Sequence, residues 1–262
     1  MKVPIFQIDA FTSHVFGGNP AAVCPLKEWL PDETMLDIAK ENNLAETAFF
    51  IHLGENEFYL RWFTPEIEMD LCGHGTLASA YVIFNCLNYN FNKITFNSMS
   101  GKLIVQKVGN KIEMNFPSRP PIPATLPEII SRSLSMQPIE VFKARDYVLV
   151  YDNEEIIRDL KVSASILNDI NLDSGGIIVT ARGNDVDFVS RFFTPGASVF
   201  EDPVTGSAHC SLIPFWADRL NKINLHAFQI SERKGELFCS LDNDRVFIKG
   251  SAVKYLEGNI EV

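Results

Sequence analysis

The chain has 262 residues, 46% of them hydrophobic and 21% charged, a composition typical of a soluble protein with room for two modest domains. Its net charge of -10 argues against a nucleic-acid partner, because phosphate binding needs clustered lysines and arginines. The five cysteines are widely spaced and form no C-x-x-C pair, which fits neither a disulfide framework nor a zinc site. We find no apolar signal core and no apolar run of membrane length, so we expect a cytoplasmic protein without a membrane partner.

The first half of the chain predicts short strands around two helices. The expected order is a strand at 5–11, a helix with Asp32 as its N-cap ending at 42–43, strands at 44–51 and 58–64, a helix at 76–87, and strands at 93–96, 103–108 and 111–116. The second helix is apolar nearly all round, which is typical of a helix buried on every side.

The second half repeats this order after a linker at 117–127 that contains five prolines. The expected order is a helix near 128–134, a strand at 141–150, helical material at 154–170, strands at 176–181 and 187–193, a second buried helix after Gly206, and three closing strands. Pro214 lies inside that helix and predicts a kink or an early stop. We therefore predict domains at residues 1–117 and 118–262, with the option that the last strand packs back on the first half.

One motif occurs twice, 130 residues apart. Arg61-Trp62-Phe63-Thr64-Pro65 returns as Arg191-Phe192-Phe193-Thr194-Pro195, and a glycine-containing turn and an apolar helix follow each copy. The repeat predicts an α+β fold of two pseudo-symmetric domains. Each would be a curved, mostly antiparallel sheet or barrel around a central helix.

The two helix starts after this motif are candidate binding corners. Gly73-His74-Gly75-Thr76 and Thr205-Gly206-Ser207-Ala208 would each present free backbone N–H groups and the positive end of a helix dipole. Both could then point at one carboxylate in a shared cleft. The alternative is that the glycines only allow tight packing at a turn.

Three titratable residues are candidates for the chemistry. Period two places Glu46 on a strand face with apolar neighbours, either as an exposed side chain at the sheet margin or as a desolvated carboxyl with a raised pKa suited to proton transfer. His74 lies inside the first glycine turn. Asp202 occupies the matching corner of the second half, either at the site or as a structural cap of the following turn.

The remaining polar candidates have plainer explanations. Ser207 lacks a G-x-S-x-G elbow, so a helix cap or a ligand hydrogen bond suits it better than a nucleophilic role. The other four histidines show no metal-ligand spacing and are interpreted as surface or core residues, namely His14, His52, His209 and His226. No metal is expected.

With these residues the chain resembles the PhzF family of phenazine-biosynthesis isomerase-like proteins. The matching segments, spread over most of the chain, are Gln7-Ile8-Asp9-Ala10-Phe11, Phe16-Gly17-Gly18-Asn19-Pro20-Ala21-Ala22-Val23, Asn43-Leu44-Ala45-Glu46-Thr47-Ala48-Phe49, Arg61-Trp62-Phe63-Thr64-Pro65, Cys72-Gly73-His74-Gly75-Thr76 and Glu201-Asp202-Pro203-Val204-Thr205-Gly206-Ser207-Ala208. The resemblance implies a diaminopimelate epimerase-like fold of two halves with the site between them, a homodimer, and no cofactor.

The resemblance also implies roles for individual residues. Glu46 would shuttle a proton along a dihydro-hydroxyanthranilate-like substrate, a small carboxylate-bearing metabolite. The implied catalytic residues are Glu46, His74 and Asp202, and the implied substrate-binding residues are Gly73, Gly75, Thr76, Gly206 and Ser207. We therefore expect a cofactor-independent isomerase.

Two other functions stay open. Racemases of the same fold use two opposed cysteines, and Cys72 matches the first of these positions. The alignment places Pro203 at the second, where proline cannot transfer a proton, although Asp202 could serve as the opposing base. The third reading is a binding protein that keeps the fold without catalysis.

Overall fold

The structure, a computed structural model, describes residues 1–167, 170–172 and 175–262. The chain divides into two compact units. The first combines Met1–Phe116 with Phe247–Val262, and the second is Pro117–Val246. The domains proposed from the sequence, 1–117 and 118–262, remain predictions.

The secondary structure elements alternate short strands with few helices. Up to residue 117 they are β1 (Lys2–Ala10), β2 (Asn19–Leu26), α1 (Asp32–Asn42), β3 (Glu46–Gly54), β4 (Glu57–Phe63), β5 (Glu68–Met69), α2 (Gly73–Asn85), β6 (Lys93–Ser98), β7 (Gly101–Val108) and β8 (Lys111–Pro117). From there they are β9 (Ile122–Pro123), α3 (Glu128–Ser133), β10 (Glu140–Lys143), β11 (Tyr147–Val150), α4 (Glu154–Asp159), α5 (Ala164–Leu167), β12 (Ile177–Arg182), β13 (Phe188–Phe193), β14 (Glu201–Asp202), α6 (Gly206–Leu220), β15 (Asn224–Gln229), β16 (Gly235–Asp242), β17 (Arg245–Gly250) and β18 (Ala252–Glu261).

The sheet of the first unit includes the last strand of the chain, β18, which lies beside the first strand, β1. β18 pairs antiparallel with β1, and β1 pairs antiparallel with β2. β2 and β3 are parallel, β3 and β4 antiparallel, and β4 and β6 parallel, followed by antiparallel β7 and β8. The short strand β5 pairs with the end of β4, immediately before α2 begins.

The second unit repeats this pairing order. β10 and β11 are antiparallel, β11 and β12 parallel, β12 and β13 antiparallel, β13 and β15 parallel, and β15 and β16 antiparallel. The short strand β14 pairs with the end of β13 before α6 begins, as β5 does in the first unit. The fold is therefore α+β and pseudo-symmetric, and each unit is a mostly antiparallel sheet on one central helix.

The two central helices are buried along almost their whole length, as their apolar sequences predict. In α2, Leu77, Val82 and Ile83 have no exposed surface, and the helix packs against β1, β2 and β3. In α6, Leu212 and Ile213 are equally buried. Within the described residues, no helix has the length and apolar character needed to cross a bilayer.

Helix α6 passes through Pro214 and ends at Leu220, so the predicted early stop is wrong. Proline has no N–H, which leaves the carbonyl of Cys210, four residues earlier, without its helical donor. The backbone N–H of Arg119 donates to that carbonyl at 2.9 Å. A residue of the proline-rich segment that begins the second unit therefore satisfies the interrupted helix.

Three other predictions need correction. The single strand expected at 141–150 is a hairpin of β10 and β11, because Arg145-Asp146 forms a turn that neither glycine nor proline marks. The material at 154–170 forms two short helices, and positions 168 and 169 lie outside the described residues. Four closing strands follow α6 in place of three.

Asp32 is the first residue of α1 and not its N-cap, which is Pro31. The Asp32 carboxylate pairs instead with the guanidinium of Arg61 at 2.9 Å. An acidic side chain in the first turn still suits the positive end of the helix dipole.

Candidate active site

The repeated motif builds the same anchor in both units. The Nε and Nη2 atoms of Arg61 donate to the two carboxylate oxygens of Glu68 at 2.7 and 2.6 Å. Arg191 makes the same two-pronged contact with Glu201 at 2.7 and 2.9 Å. Each guanidinium also lies over the phenylalanine two positions later, with 5.1 and 5.0 Å to the ring centres. The motif therefore fixes the chain that leads into each central helix, and functional differences must come from the residues that follow.

At the first helix start, a thiol takes the capping position. Cys72 is the N-cap of α2, and its Sγ accepts a hydrogen bond from the N–H of Gly75 at 3.2 Å. A Cβ atom on Gly75 would lie 2.8 Å from the indole carbon Cδ1 of Trp62 and 3.0 Å from the Cys72 sulfur. Tight packing thus accounts for Gly75, whose role in substrate binding stays a prediction.

Four polar side chains meet at this helix start. Oε2 of Glu46 lies 2.7 Å from Nε2 of His74, although the contact lacks the direction of a hydrogen bond. On the other side of the ring, Nδ1 lies 3.1 Å from the amide nitrogen of Asn19 and 3.6 Å from Sγ of Cys72. The side chain of His74 is 4% exposed and that of Glu46 is 15% exposed. Glu46 is therefore a largely desolvated carboxylate beside a buried imidazole, and the exposed-margin alternative is wrong.

The charges of this cluster follow from burial and from its neighbours. Burial raises the pKa of the Cys72 thiol to about 11, so the sulfur is protonated at neutral pH. Burial acts to lower the pKa of His74, but the neighbouring Cys72 and Glu46 side chains raise it well above its usual value. The raised pKa favours the charged form of the His74 ring, which lies beside the Glu46 side chain.

At the second helix start the matching position holds a hydroxyl. Thr205 is the N-cap of α6, the place that Cys72 takes in α2, so the alignment that put Pro203 there is wrong. The Thr205 hydroxyl donates to Oδ2 of Asp202 at 2.5 Å, and its backbone N–H donates to Oε1 of Gln229 at 2.8 Å. Asp202 therefore stabilises the turn before the helix, as its structural alternative proposes.

Ser207 is held by a cation that the sequence did not indicate. Nη2 of Arg145 donates to the Ser207 hydroxyl at 3.0 Å. The same guanidinium contacts both carboxylate oxygens of Asp146 at 3.1 Å, and Asp146 also accepts the N–H of Gly176 at 2.8 Å. The Arg145 guanidinium, paired with the Asp146 carboxylate, thus lies at the beginning of α6.

Two polar residues inside the helices serve the fold. The Thr76 hydroxyl donates to the carbonyl of Cys72. Nδ1 of His209 lies 2.8 Å from the carbonyl of Thr205, and burial lowers the pKa of this histidine to about 4, so its ring is neutral. His209 is a core histidine, as expected, and a role of Thr76 in substrate binding stays a prediction.

The structure brings Glu46 and His74 together in the first unit, and Asp202 and Ser207 lie at the helix start of the second. Sequence reasoning missed four residues around these groups, namely Asn19, Trp62, Arg145 and Gln229. Asn19 and Trp62 belong to motifs that the sequence shows plainly, the F-G-G-N-P segment and the first copy of the repeat. Arg145 and Gln229 carry no sequence signal that marks them.

Several proteins similar in sequence to this chain have related descriptions. Residues 8–258 match the family model described as phenazine biosynthesis-like protein, PhzC-PhzF. An uncharacterised isomerase of Pseudomonas aeruginosa is 45% identical, and the human phenazine biosynthesis-like domain-containing protein is 39% identical, with at least 99% of both chains covered in each comparison.

Solved structures with a similar fold include a protein of the same family. A PhzF-family phenazine biosynthesis protein of Enterococcus faecalis superimposes with a TM-score of 0.94 at 43% identity, over 100% of both chains. A hydroxyproline epimerase of Agrobacterium vitis, 9% identical over 99% of this chain and 92% of its own, has a TM-score of 0.60 and shares the fold alone. The chain belongs to the phenazine biosynthesis-like PhzC-PhzF family.

Proposed function

We propose that this protein is a cofactor-independent isomerase that moves a proton between carbon atoms of a small carboxylate-bearing metabolite. The observation that carries the proposal is the 2.7 Å approach of the Glu46 carboxylate to the buried ring of His74. Relatives named as isomerases, at 44–45% identity over nearly the whole chain, support the reaction class.

Glu46 is the proposed proton carrier. Its carboxylate accepts a proton from a substrate carbon, the electron pair of the broken C–H bond spreads over the adjacent unsaturated system, and the same carboxyl group returns the proton to another carbon. One group that first accepts and then donates needs no second base. Its 15% exposed side chain leaves an approach for a substrate while most of its surface is removed from water.

His74 is proposed to stabilise the charge that this transfer creates. Before the transfer, the imidazolium is balanced by the Glu46 carboxylate. When Glu46 takes up the proton, the negative charge moves to the substrate, and a buried cation held beside the carboxyl group stabilises it. Both nitrogens of an imidazolium donate, so the Asn19 amide, whose nitrogen lies 3.1 Å from Nδ1, would hold the ring with its oxygen turned towards that nitrogen.

The proposed substrate class is dihydro-hydroxyanthranilate-like, and it rests on the family resemblance. Its carboxylate suits backbone N–H groups at a helix start, which Gly73 provides in the first unit, where the N–H of Gly75 is engaged by the Cys72 sulfur. Asp202, Gly206 and Ser207 are retained as proposed substrate contacts on the same resemblance.

The racemase alternative needs a second thiol opposite Cys72. The position equivalent to Cys72 at the second helix start is Thr205, whose hydroxyl is engaged by Asp202. Cys210 lies one turn further into α6, is fully buried, and has its pKa raised to about 11 by burial. These observations favour the one-carboxylate mechanism over a two-thiol mechanism.

The test is steady-state kinetics on dihydro-hydroxyanthranilate and a panel of small unsaturated amino and hydroxy acids. Glu46→Gln is expected to lower kcat by about 10²–10⁴-fold, the usual contribution of a general acid–base group. Glu41→Gln is the matched control, since Glu41 is an exposed glutamate on α1, and it should keep full activity. Unchanged turnover in Glu46→Gln, with the circular dichroism spectrum of the parent protein, would refute the proposal.

A further inference from the structure

Three side chains of the first helix start have the donor atoms of a metal site. One carboxylate oxygen of Glu46, Sγ of Cys72 and one ring nitrogen of His74 all lie within 4.8 Å of one another. Thiolate, imidazole and carboxylate are the ligands that zinc takes in proteins. Cys72 and His74 are two positions apart in the sequence, at the start of α2.

The distances between the donor atoms suit a tetrahedral ion. Zinc bonds of about 2.3 Å to sulfur and about 2.0 Å to nitrogen place those two ligand atoms about 3.5 Å apart at the tetrahedral angle. The separation of Cys72 Sγ from His74 Nδ1 is 3.6 Å. A carboxylate oxygen of Glu46 lies within 4.8 Å of the sulfur and of a His74 ring nitrogen.

Two atoms of the cluster are also poorly satisfied by the protein itself. Oε2 of Glu46 and Nε2 of His74 are both buried, and within the described residues neither makes a directed hydrogen bond, although they lie 2.7 Å apart. Buried polar atoms are normally hydrogen-bonded, so an atom that is not indicates a missing partner. An ion held between the sulfur and Nδ1 would engage a Glu46 oxygen, and Nε2, at the other end of the ring, would then carry the imidazole proton.

We propose that Glu46, Cys72 and His74 bind one Zn²⁺ ion, and that this ion inhibits the enzyme. The inhibition rests on the proposed function, because the ion would occupy the carboxylate that carries the proton and the imidazole that stabilises the charge. On binding, the thiol of Cys72 and the imidazolium of His74 each release a proton to the solvent. Three protein ligands leave a fourth tetrahedral position for water or a substrate oxygen.

Selectivity follows from the same donors. Mg²⁺ prefers oxygen ligands in octahedral geometry, whereas thiolate and imidazole select ions such as Zn²⁺ and Co²⁺. The site should therefore distinguish zinc from magnesium without any contribution from ion size.

Binding is tested first without substrate. Protein treated with a chelator and freed of it is titrated with ZnCl2 and MgCl2 by calorimetry, and with CoCl2 by absorption spectroscopy. We expect one zinc per chain, no heat from magnesium, and a thiolate-to-cobalt charge-transfer band. Cys72→Ser should weaken zinc binding by at least about tenfold and remove the band, because one ligand is lost.

Cys86→Ser is the matched control, since Cys86 is a partly buried thiol outside the cluster. Its loss should change neither the zinc affinity nor the cobalt charge-transfer band. If Cys72→Ser fails to fold, Glu46→Gln serves as the second variant and should weaken zinc binding while keeping the cobalt band. Absence of zinc binding to the parent protein, or equal binding to Cys72→Ser, would overturn the site.

Inhibition is then measured as turnover at rising zinc concentration, with a chelator to reverse it. Saturating zinc without loss of turnover would overturn the regulatory claim. Because zinc binding is read without substrate, a protein that binds zinc but isomerises nothing would refute the proposed function and leave the metal site standing.

Discussion

Gly75→Ala tests the packing that brings the thiol of Cys72 next to His74. The new Cβ would lie 2.8 Å from Cδ1 of Trp62 and 3.0 Å from the Cys72 sulfur, and Trp62 is only 1% exposed, so its indole has little room to move. Overpacking of this kind costs about 1–3 kcal/mol, while alanine regains about 1 kcal/mol of helix propensity. Since a 2.8 Å contact forces a shift in a tightly packed indole, we take the upper part of the range, about 2–3 kcal/mol, and expect a net loss of about 1–2 kcal/mol.

The assay is urea denaturation followed by fluorescence and circular dichroism, read as the midpoint at constant slope. Gly258→Ala in β18 is the matched control, because its added Cβ would meet nothing within 4 Å. The control should be neutral or gain up to about 1 kcal/mol, since alanine restricts the unfolded strand more than glycine does. A Gly75→Ala variant as stable as the parent protein would refute the close packing of Trp62 and Cys72.

Three further predictions concern the same unit. Cys72→Ser should keep most isomerase activity. Iodoacetamide should alkylate Cys72 slowly at pH 7.5, because the buried thiol has a pKa of about 11. Rapid alkylation would contradict the burial of this thiol. Because the pKa of His74 is higher in the folded protein than its unfolded value of about 6.5, protonation of this ring stabilises the folded state. The contribution to the free energy of unfolding is complete below a pH of about 6.5 and should be lost as pH rises through the folded pKa. Urea midpoints across that pH range should show the fall in the parent protein and a flatter profile in Glu46→Gln. Arg61→Ala should cost about 2 kcal/mol through the lost two-pronged contact with Glu68, with Arg61→Lys restoring only part of it; full restoration by lysine would contradict the geometry.

Much of the fold was predictable because its signals are local. The repeated R-[WF]-F-T-P motif and the all-apolar helices predicted two similarly built units around central helices. The hairpin turn at Arg145-Asp146 was not, because it lacks glycine and proline and depends on Asp146 accepting the N–H of Gly176, 30 residues away. The continuation of helix α6 past Pro214 also depends on a distant residue, because the N–H of Arg119 donates to the Cys210 carbonyl that the proline leaves without a helical donor.

In the candidate site, too, single residues could be predicted from local sequence patterns, whereas contacts between distant residues could not. Glu46 and His74 were identifiable singly, from a carboxylate among apolar neighbours and from a histidine in a glycine turn. Their contact joins the start of β3 to the start of α2, and no local pattern encodes a distance between them. The contact of Arg145 with Ser207 spans 62 residues and was missed for that reason.

The most direct test of the central claim is proton NMR in D2O with dihydro-hydroxyanthranilate and the panel of small acids, run on the parent protein and on Glu46→Gln. The account predicts double-bond migration or deuterium uptake that requires the Glu46 carboxylate and persists in Cys72→Ser. Exchange at an α-carbon that survives Glu46→Gln but disappears in Cys72→Ser would contradict it and assign the chemistry to the thiol.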